Sequence, residues 1–360
     1  MKTPSPLVLQ RAAQEIADRR DATSECAQRL VALRRAKADL APIWSQSLVY
    51  TYSQVEEVPY PDLPAHEGMV LPIDTAVDPA SIDYEYFQVD RGGLADWIDE
   101  QGNVMHSSFL TSQRFTGRHH EIGHGYEWTI FDLERSAMAN LPLPKLKQDI
   151  ARRAHAEKTE WVWMYGDSAK DLKGLATHPN IPRTLAPLNA GATSRLWANK
   201  TADEIMADMT LFLDAIPAGS QEMHFATKVL MPPSLIRVLR SRFVAATADG
   251  AVSLWDRLQK LYAGDAAGQG KVEFVSMRTL AGASRINPLT GTDTSGLAGD
   301  LMIALPPDDV SRAAFIRARP FTTLSPQEDD FSIKTLTHSR IGGAKIVYPR
   351  SIAIFEFGVT

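Results

Sequence analysis

The sequence predicts an α+β protein, and three observations carry that prediction. Strand-like alternation occupies residues 84–90, 115–130 and 331–357, a long helical pattern runs from Pro144 to Gly166, and helix and strand patterns mix between 201 and 305. The 360 residues, 44% hydrophobic and 22% charged, suffice for one elaborate domain or two to three subdomains and exclude a disordered chain.

Residues 8–39 show helix-like apolar recurrence (Leu9, Ala13, Ile16, Ala17, Leu30, Val31, Leu33), which predicts an amphipathic helix or arm. Prolines at 42, 59, 61, 64, 72 and 79 forbid a long helix after it, so 41–80 reads as an extended segment crossing a surface. Tyr84–Asp90 and Phe115–Ile130 read as two strands joined through a polar tip, a protruding β-hairpin that has little core beneath it and needs a partner to lie against. A short helix covers Leu133–Ala139. A long one starts near Pro144, presents Leu146, Ile150, Ala154, Trp161 and Tyr165 on one face, and stops at Gly166.

Residues 174–198 read as loop. Thr201 and Glu204 form a capping box opening a helix with an apolar stripe of Ile205, Met209, Phe212, Leu213 and Ile216, which Pro217 and Gly219 end. A strand at 224–231, helices after Pro232-Pro233 and around Leu254–Leu261, and strands at 271–277 and 300–305 complete an α/β region. Strands at 331–338, 344–348 and 351–357 close the chain, with Gly342-Gly343 placed for a tight hairpin turn.

The net charge of −5 argues against a nucleic-acid binder held by counterion release. The distribution is uneven: residues 1–40 hold eight basic and five acidic side chains, whereas 41–100 hold twelve acidic ones and only Arg91. No lysine occurs between Lys37 and Lys145. Such a stretch repels itself and prefers a positive neighbour. One cysteine, Cys26, allows no internal disulfide, no run reaches the length of a membrane span, and MKTPSPLVLQ lacks a signal-peptide pattern, so an intracellular product is expected.

The sharpest catalytic match is His120-Glu121-Ile122-Gly123-His124, a literal H-E-x-x-H. On a helix that spacing puts both imidazoles on one face for zinc, with the glutamate as general base. Flanking glycines and the alternation of Tyr126–Ile130 favour a strand instead, where residues four apart lie about 13 Å from one another. His119 reads as a surface residue of the hairpin, and Cys26 has no fixed histidine partner. Gly264–Gly270 lacks the lysine of a phosphate loop. Asp308-Asp309 and Glu328-Asp329-Asp330 read as solvated loops, and Trp161 and Trp163 as core. No catalytic residue, metal ligand or cofactor is expected. The remaining features are an arm, a hairpin and a long helix that cannot bury themselves, and they imply burial against copies of the same chain.

Five stretches in order, HHEIGHGYEWTIFDLERSAMA, EKTEWVWMYGDSAKDLKGLATHPNI, WANKTADEIMADM, FATKVLMPPSLIRVL and HSRIGGAKIVYPRSIAIFEFG, resemble the major capsid proteins of tailed bacteriophages, with the Hong Kong 97-type fold. The resemblance covers roughly residues 80–360. It implies an amino-terminal arm (1–80), an extended β-hairpin loop (81–130), a peripheral domain with a spine helix (131–195), an axial α/β domain (196–320) and peripheral closing strands (321–360). It further implies a non-enzymatic protein of the virion, assembled in the host cytoplasm. Copies of itself in hexamers and pentamers, with portal and scaffolding or decoration proteins, would form an icosahedral shell around double-stranded DNA, with no membrane involved. Some family members cross-link a loop lysine to a neighbour's asparagine. This chain has no lysine in that loop, so no such bond is expected. Two alternatives stay open: an encapsulin-like nanocompartment shell, and a zinc metalloprotease using His120, Glu121 and His124.

Overall fold

A computed structural model describes residues 59–93, 107–139, 141–243, 252–262 and 271–358, together with Gln10, Arg11 and Gln14. The expectations for the amphipathic arm, Cys26, the hairpin tip at 94–106 and Gly264–Gly270 lie outside these residues. The chain divides between Pro59 and Tyr60, and the second unit is the one described below.

In chain order its elements are β1 (Ile73–Asp74), β2 (Asp83–Gly92), β3 (Phe109–Thr129), α1 (Ile130–Met138), α2 (Leu143–Tyr165) and β4 (Arg183–Leu185). There follow α3 (Ala202–Ser220), β5 (Lys228–Met231), α4 (Pro233–Ser241), α5 (Leu254–Tyr262), β6 (Glu273–Ser276) and β7 (Leu301–Leu305). The last are β8 (Ala313–Thr323), β9 (Gln327–Asp329), β10 (Ser332–Ile346) and β11 (Ala353–Glu356). They build a six-stranded sheet, ordered β1-β8-β10-β3-β2 with β9 also on β10, and a five-stranded sheet ordered β4-β11-β7-β5-β6. This is the α+β class that the sequence predicts.

The five-stranded sheet is buried on both faces, and the period of two in its strands sorts the side chains between two cores. Leu230, Leu301, Ile303, Leu305 and Ile354 face one core with Trp161–Tyr165 of α2 and Phe315 of β8. Val229, Met231, Met302, Ala304, Ala353 and Phe355 face the other, against Ile205, Met209, Phe212, Leu213 and Ile216 of α3 and Leu235 and Leu239 of α4. The α3 stripe is the one expected. In the first core Trp163 stacks on Phe315 with ring centroids 4.9 Å apart, and its Nε1–H donates to the Gly342 carbonyl at 3.2 Å.

Local signals explain most boundaries. Pro144 stands in the first turn of α2, and Gly166 stops it at a φ of 73°. The Thr201–Glu204 capping box opens α3. A second box, Thr129 with Asp132, opens α1 three residues before the expected start.

The structure corrects several expectations. Ile150 and Ala154 of α2 are exposed; the buried face is Ala151, His155 and Thr159, and the last turns are buried all round. The helix slides from the surface into the first core along its length, which one amphipathic stripe does not describe. Pro217 lies inside α3, whose end is Gln221 in the left-handed region. A proline one turn from a helix end removes a single hydrogen bond, too little to stop it. β5 begins only at Lys228. β8 is a strand where the sequence shows no clean alternation, and it pairs with β10 and β1 in the six-stranded sheet. Gly342-Gly343 is no hairpin turn: β10 runs straight through it. A Cβ on Gly343 would stand 2.6 Å from the Lys173 carbonyl oxygen, and that carbonyl accepts the Ala344 N–H at 2.8 Å. The glycines are there for close backbone approach, and the pairing with β8 shifts register across them.

Candidate assembly surfaces

β3 changes neighbours along its length. From Phe109 to Arg118 it pairs with β2, and from His119 to Thr129 it pairs with β10. The first half forms a two-stranded ribbon. On one side of it Glu85 meets Arg114 at 3.3 Å and Asp83 meets Arg118 at 3.7 Å, beside the exposed Phe87 and Val89. On the other, Tyr86 stacks on Phe115 at 5.2 Å, and its hydroxyl donates to the Ile346 carbonyl at 3.3 Å. That contact roots the ribbon on β10. Further out nothing covers it among the described residues: Thr111–Arg114, Phe109 and Leu110 are all exposed. β2 is also the end strand of its sheet, so its outer backbone edge is open to strand addition.

Segment 60–74 leads to this ribbon and is strapped across the first core. Ala65, Val70 and Leu71 are buried in it, and Ile73–Asp74 pairs parallel with β8. Arg317 donates to the His66 carbonyl at 2.9 Å and lies over the Trp163 ring at 5.0 Å. The His66 N–H donates to Glu160 Oε2 at 2.7 Å. Burial pushes the Glu160 carboxyl up to about 7, and burial with the Arg317 charge holds the His66 imidazole down to about 4. A groove of about 210 Å³ opens beside Glu160, between Trp161, Tyr165 and Ile286.

The histidine motif sits wholly in β3. His120 and His124 are in extended backbone, about 13 Å apart by strand rise, so the helical geometry of a shared zinc is lacking there. His120 Nε2 lies 3.0 Å from the Lys170 carbonyl, and Glu121 is exposed, opposite Arg340 on β10. Among the described residues no group of three or more His, Cys, Asp or Glu is placed to hold a metal ion.

Two further expectations about site residues change. His119 is 3% exposed rather than on the surface: its ring stacks on Tyr84 at 5.0 Å, with Gly342 leaving room on β10. Burial lowers its affinity for a proton. The acidic groups stay largely exposed, but Glu328 and Asp329 lie in the strand β9 rather than in a loop; Asp308 binds Lys228 at 2.5 Å and Asp329 binds Lys334 at 2.8 Å. His155, unremarked in the sequence, is buried between Ser339 and Thr337 of β10 at 2.8 and 3.1 Å. Its recurrence with Ala151 and Thr159 along α2 was the available signal. No helix among the described residues is long and apolar enough to cross a membrane.

The arrangement therefore offers surfaces for association: a ribbon without an underlying layer, an open strand edge, and a strap carrying the chain toward both. Comparison with known proteins agrees in kind. No curated protein matches the sequence. Among solved structures, the capsid of Myoviridae phage XM1 is similar in fold, with a TM-score of 0.69 at 12% identity over 88% of this chain and 98% of that one. The capsid of a native GTA particle gives 0.59 at 13% identity over 90% and 100%. Gordonia phage Cozz gives 0.56 at 12% identity over 91% and 96%. A family model described as major capsid protein matches residues 93–356. The chain belongs to the major capsid protein family.

Proposed function

We propose that this chain is the shell subunit of a tailed phage, self-assembling as hexamers and pentamers into an icosahedral capsid around double-stranded DNA. The observation that carries the reading is the β2–β3 ribbon, whose outer half shows exposed Phe87, Val89, Phe109 and Leu110 to solvent. A two-stranded ribbon is marginal alone and gains stability by lying on another surface, and identical copies supply one by closed symmetry. Its role is structural rather than catalytic. The net charge of −5 suits a shell that DNA must enter and leave without sticking.

In this reading residues 1–80 are the arm, 81–130 the extended loop, 131–195 and 321–360 the peripheral domain with α2 as its spine, and 196–320 the axial domain. Portal and scaffolding or decoration proteins are the further partners, the virion is the location, and assembly takes place in the host cytoplasm. The loop has no lysine, so the particle is held without covalent links, partly by acidic side chains of 41–100 set against basic surface of a neighbour. Denaturing gels of mature particles then show single subunits; a covalent ladder overturns that part. Electron microscopy of the overexpressed protein tests the whole: closed shells are expected, and a solitary subunit in the ultracentrifuge at high concentration overturns the reading.

A further inference from the structure

We infer that the groove beside Glu160 is a binding site for a small primary amine, an ammonium group carried on a short apolar chain, with the Glu160 carboxylate as its counter-ion. The site belongs to the single subunit and is independent of the shell reading.

The groove lies between α2, the start of the strap and the segment 278–288. Its walls are apolar: Leu63 from the strap, Trp161 and Tyr165 from α2, and Ile286 and Pro288 opposite. A volume of about 210 Å³ equals that of about seven waters in the liquid, which suits a chain of a few carbons. Glu160 stands where α2 passes from the surface into the first core, so its carboxyl is enclosed, whereas Glu157 one turn earlier still reaches solvent.

Glu160 is 3% exposed, and half of its carboxylate is unsatisfied. Oε2 accepts the His66 N–H at 2.7 Å, with the Ala65 N–H beside it. Oε1 is buried and has no hydrogen-bond partner among the described residues. A buried acceptor without a donor is costly. The cations around it are committed elsewhere. Arg153 binds Glu157 at 2.8 Å, donates to the Pro61 carbonyl at 2.6 Å and lies over the Tyr60 ring. Arg317 is held on the His66 carbonyl, and Arg285 lies over Tyr165 at 5.5 Å. Arg278 is exposed at the rim, where it opposes a second positive end on the ligand.

An ammonium supplies both the missing donor and the missing charge, with the Trp161 ring beside it to favour a cation. An alcohol of the same length supplies the donor alone. The ionisable groups facing Glu160 are His66 and Glu67 of the strap, Arg153 and Glu157 of α2, and Arg278 across the groove. Burial pushes the Glu160 carboxyl up to about 7, and His66, held down to about 4, stays neutral from pH 6 to 8. An alkylamine stays charged over that range. It binds the carboxylate form, so its affinity rises about tenfold between pH 6 and pH 8 as Glu160 ionises.

The test is calorimetric titration of the full chain with pentylamine and with 1-pentanol, folding being followed by thermal melting. One pentylamine per chain is expected, with 1-pentanol bound at least tenfold more weakly. Glu160→Gln keeps the shape, removes the charge and is expected to weaken pentylamine at least tenfold. Glu328→Gln, which removes an exposed charge on β9, is expected to leave the affinity unchanged. The inference is overturned by no pentylamine binding, by 1-pentanol binding as tightly, or by wild-type affinity that stays flat between pH 6 and 8. It is also overturned if Glu160→Gln binds as wild type, or if Glu328→Gln weakens binding as much as Glu160→Gln, which would mean attraction to the acidic surface at large. None of these results touches the shell reading, and a chain that forms no shells leaves this site standing.

Discussion

The two halves of β3 share a backbone conformation and differ in almost everything else. From His119 to Thr129 the strand lies on β10; His119 and Trp128 are buried, and α2 closes over this half of the sheet. From Phe109 to Arg118 it has only β2, and six of its first residues are exposed. Alternation along a strand states which residues share a face; whether that face is buried depends on which remote segments arrive to cover it. The inner half is a piece of a folded core. The outer half is built like an interface that has not yet met its other side.

Substitutions on each side of the boundary can break or sharpen this contrast. The largest effect is expected beneath the inner half. Trp163→Ala removes a fully buried ring stacked on Phe315 and bonded to Gly342, and should cost about 3–5 kcal/mol of subunit stability by urea unfolding. A loss below about 1 kcal/mol would mean that the core does not hold the inner half as described.

Next comes Glu160. Its carboxyl is raised to about 7 from 4.5, so its contribution to stability is fully present below 4.5 and lost as the pH rises through 7. Glu160→Gln keeps an acceptor for the His66 N–H and removes the buried charge. It should stabilise the subunit by about 2 kcal/mol at pH 8 and by nothing at pH 4.5. His66 and His178 act in the opposite sense. Both are lowered to about 4 from 6.5, so they weaken the fold as the pH falls from 6.5 through 4. A Glu160→Gln gain that did not vary between pH 5 and 8 would show that burial of the carboxylate is not its source.

The smallest effect on the subunit is expected in the outer half. Phe87→Ala should change unfolding free energy by no more than about 0.5 kcal/mol, since the ring is mostly exposed. Its cost should instead appear in shell yield, and a variant destabilised as much as Trp163→Ala would erase the distinction between the halves.

Much of this fold was legible from local signals. Pro144 and Gly166 bracket α2, Thr201 and Glu204 open α3, and alternation marks β2 and β3, because each depends on neighbours in sequence. What was not legible depends on distant contacts. Gly342-Gly343 looks like a turn until the Lys173 carbonyl is seen to occupy the space that side chains would fill. His119 looks like a surface residue until Tyr84 and Gly342 close over it. The AAFIRARPFTT run of β8 mixes apolar and charged residues without clean alternation, because its start is buried on both faces and its end is not. The absence of a helix under His120-Glu121-Ile122-Gly123-His124 was readable from the flanking glycines. The burial of Glu160 carried no sequence signal of its own, since enclosure is a property of the folded subunit.

One mechanical consequence follows from the 21 residues of β3. At strand rise the part beyond His119 reaches about 33 Å, so a tilt of roughly 5° at its root displaces the far end by about 3 Å, the width of an atom. Angular slack at the base is thus amplified into positional error at the tip. The Tyr86 hydroxyl on Ile346 and the Tyr84–His119 stack stand at the fulcrum, where stiffness counts most.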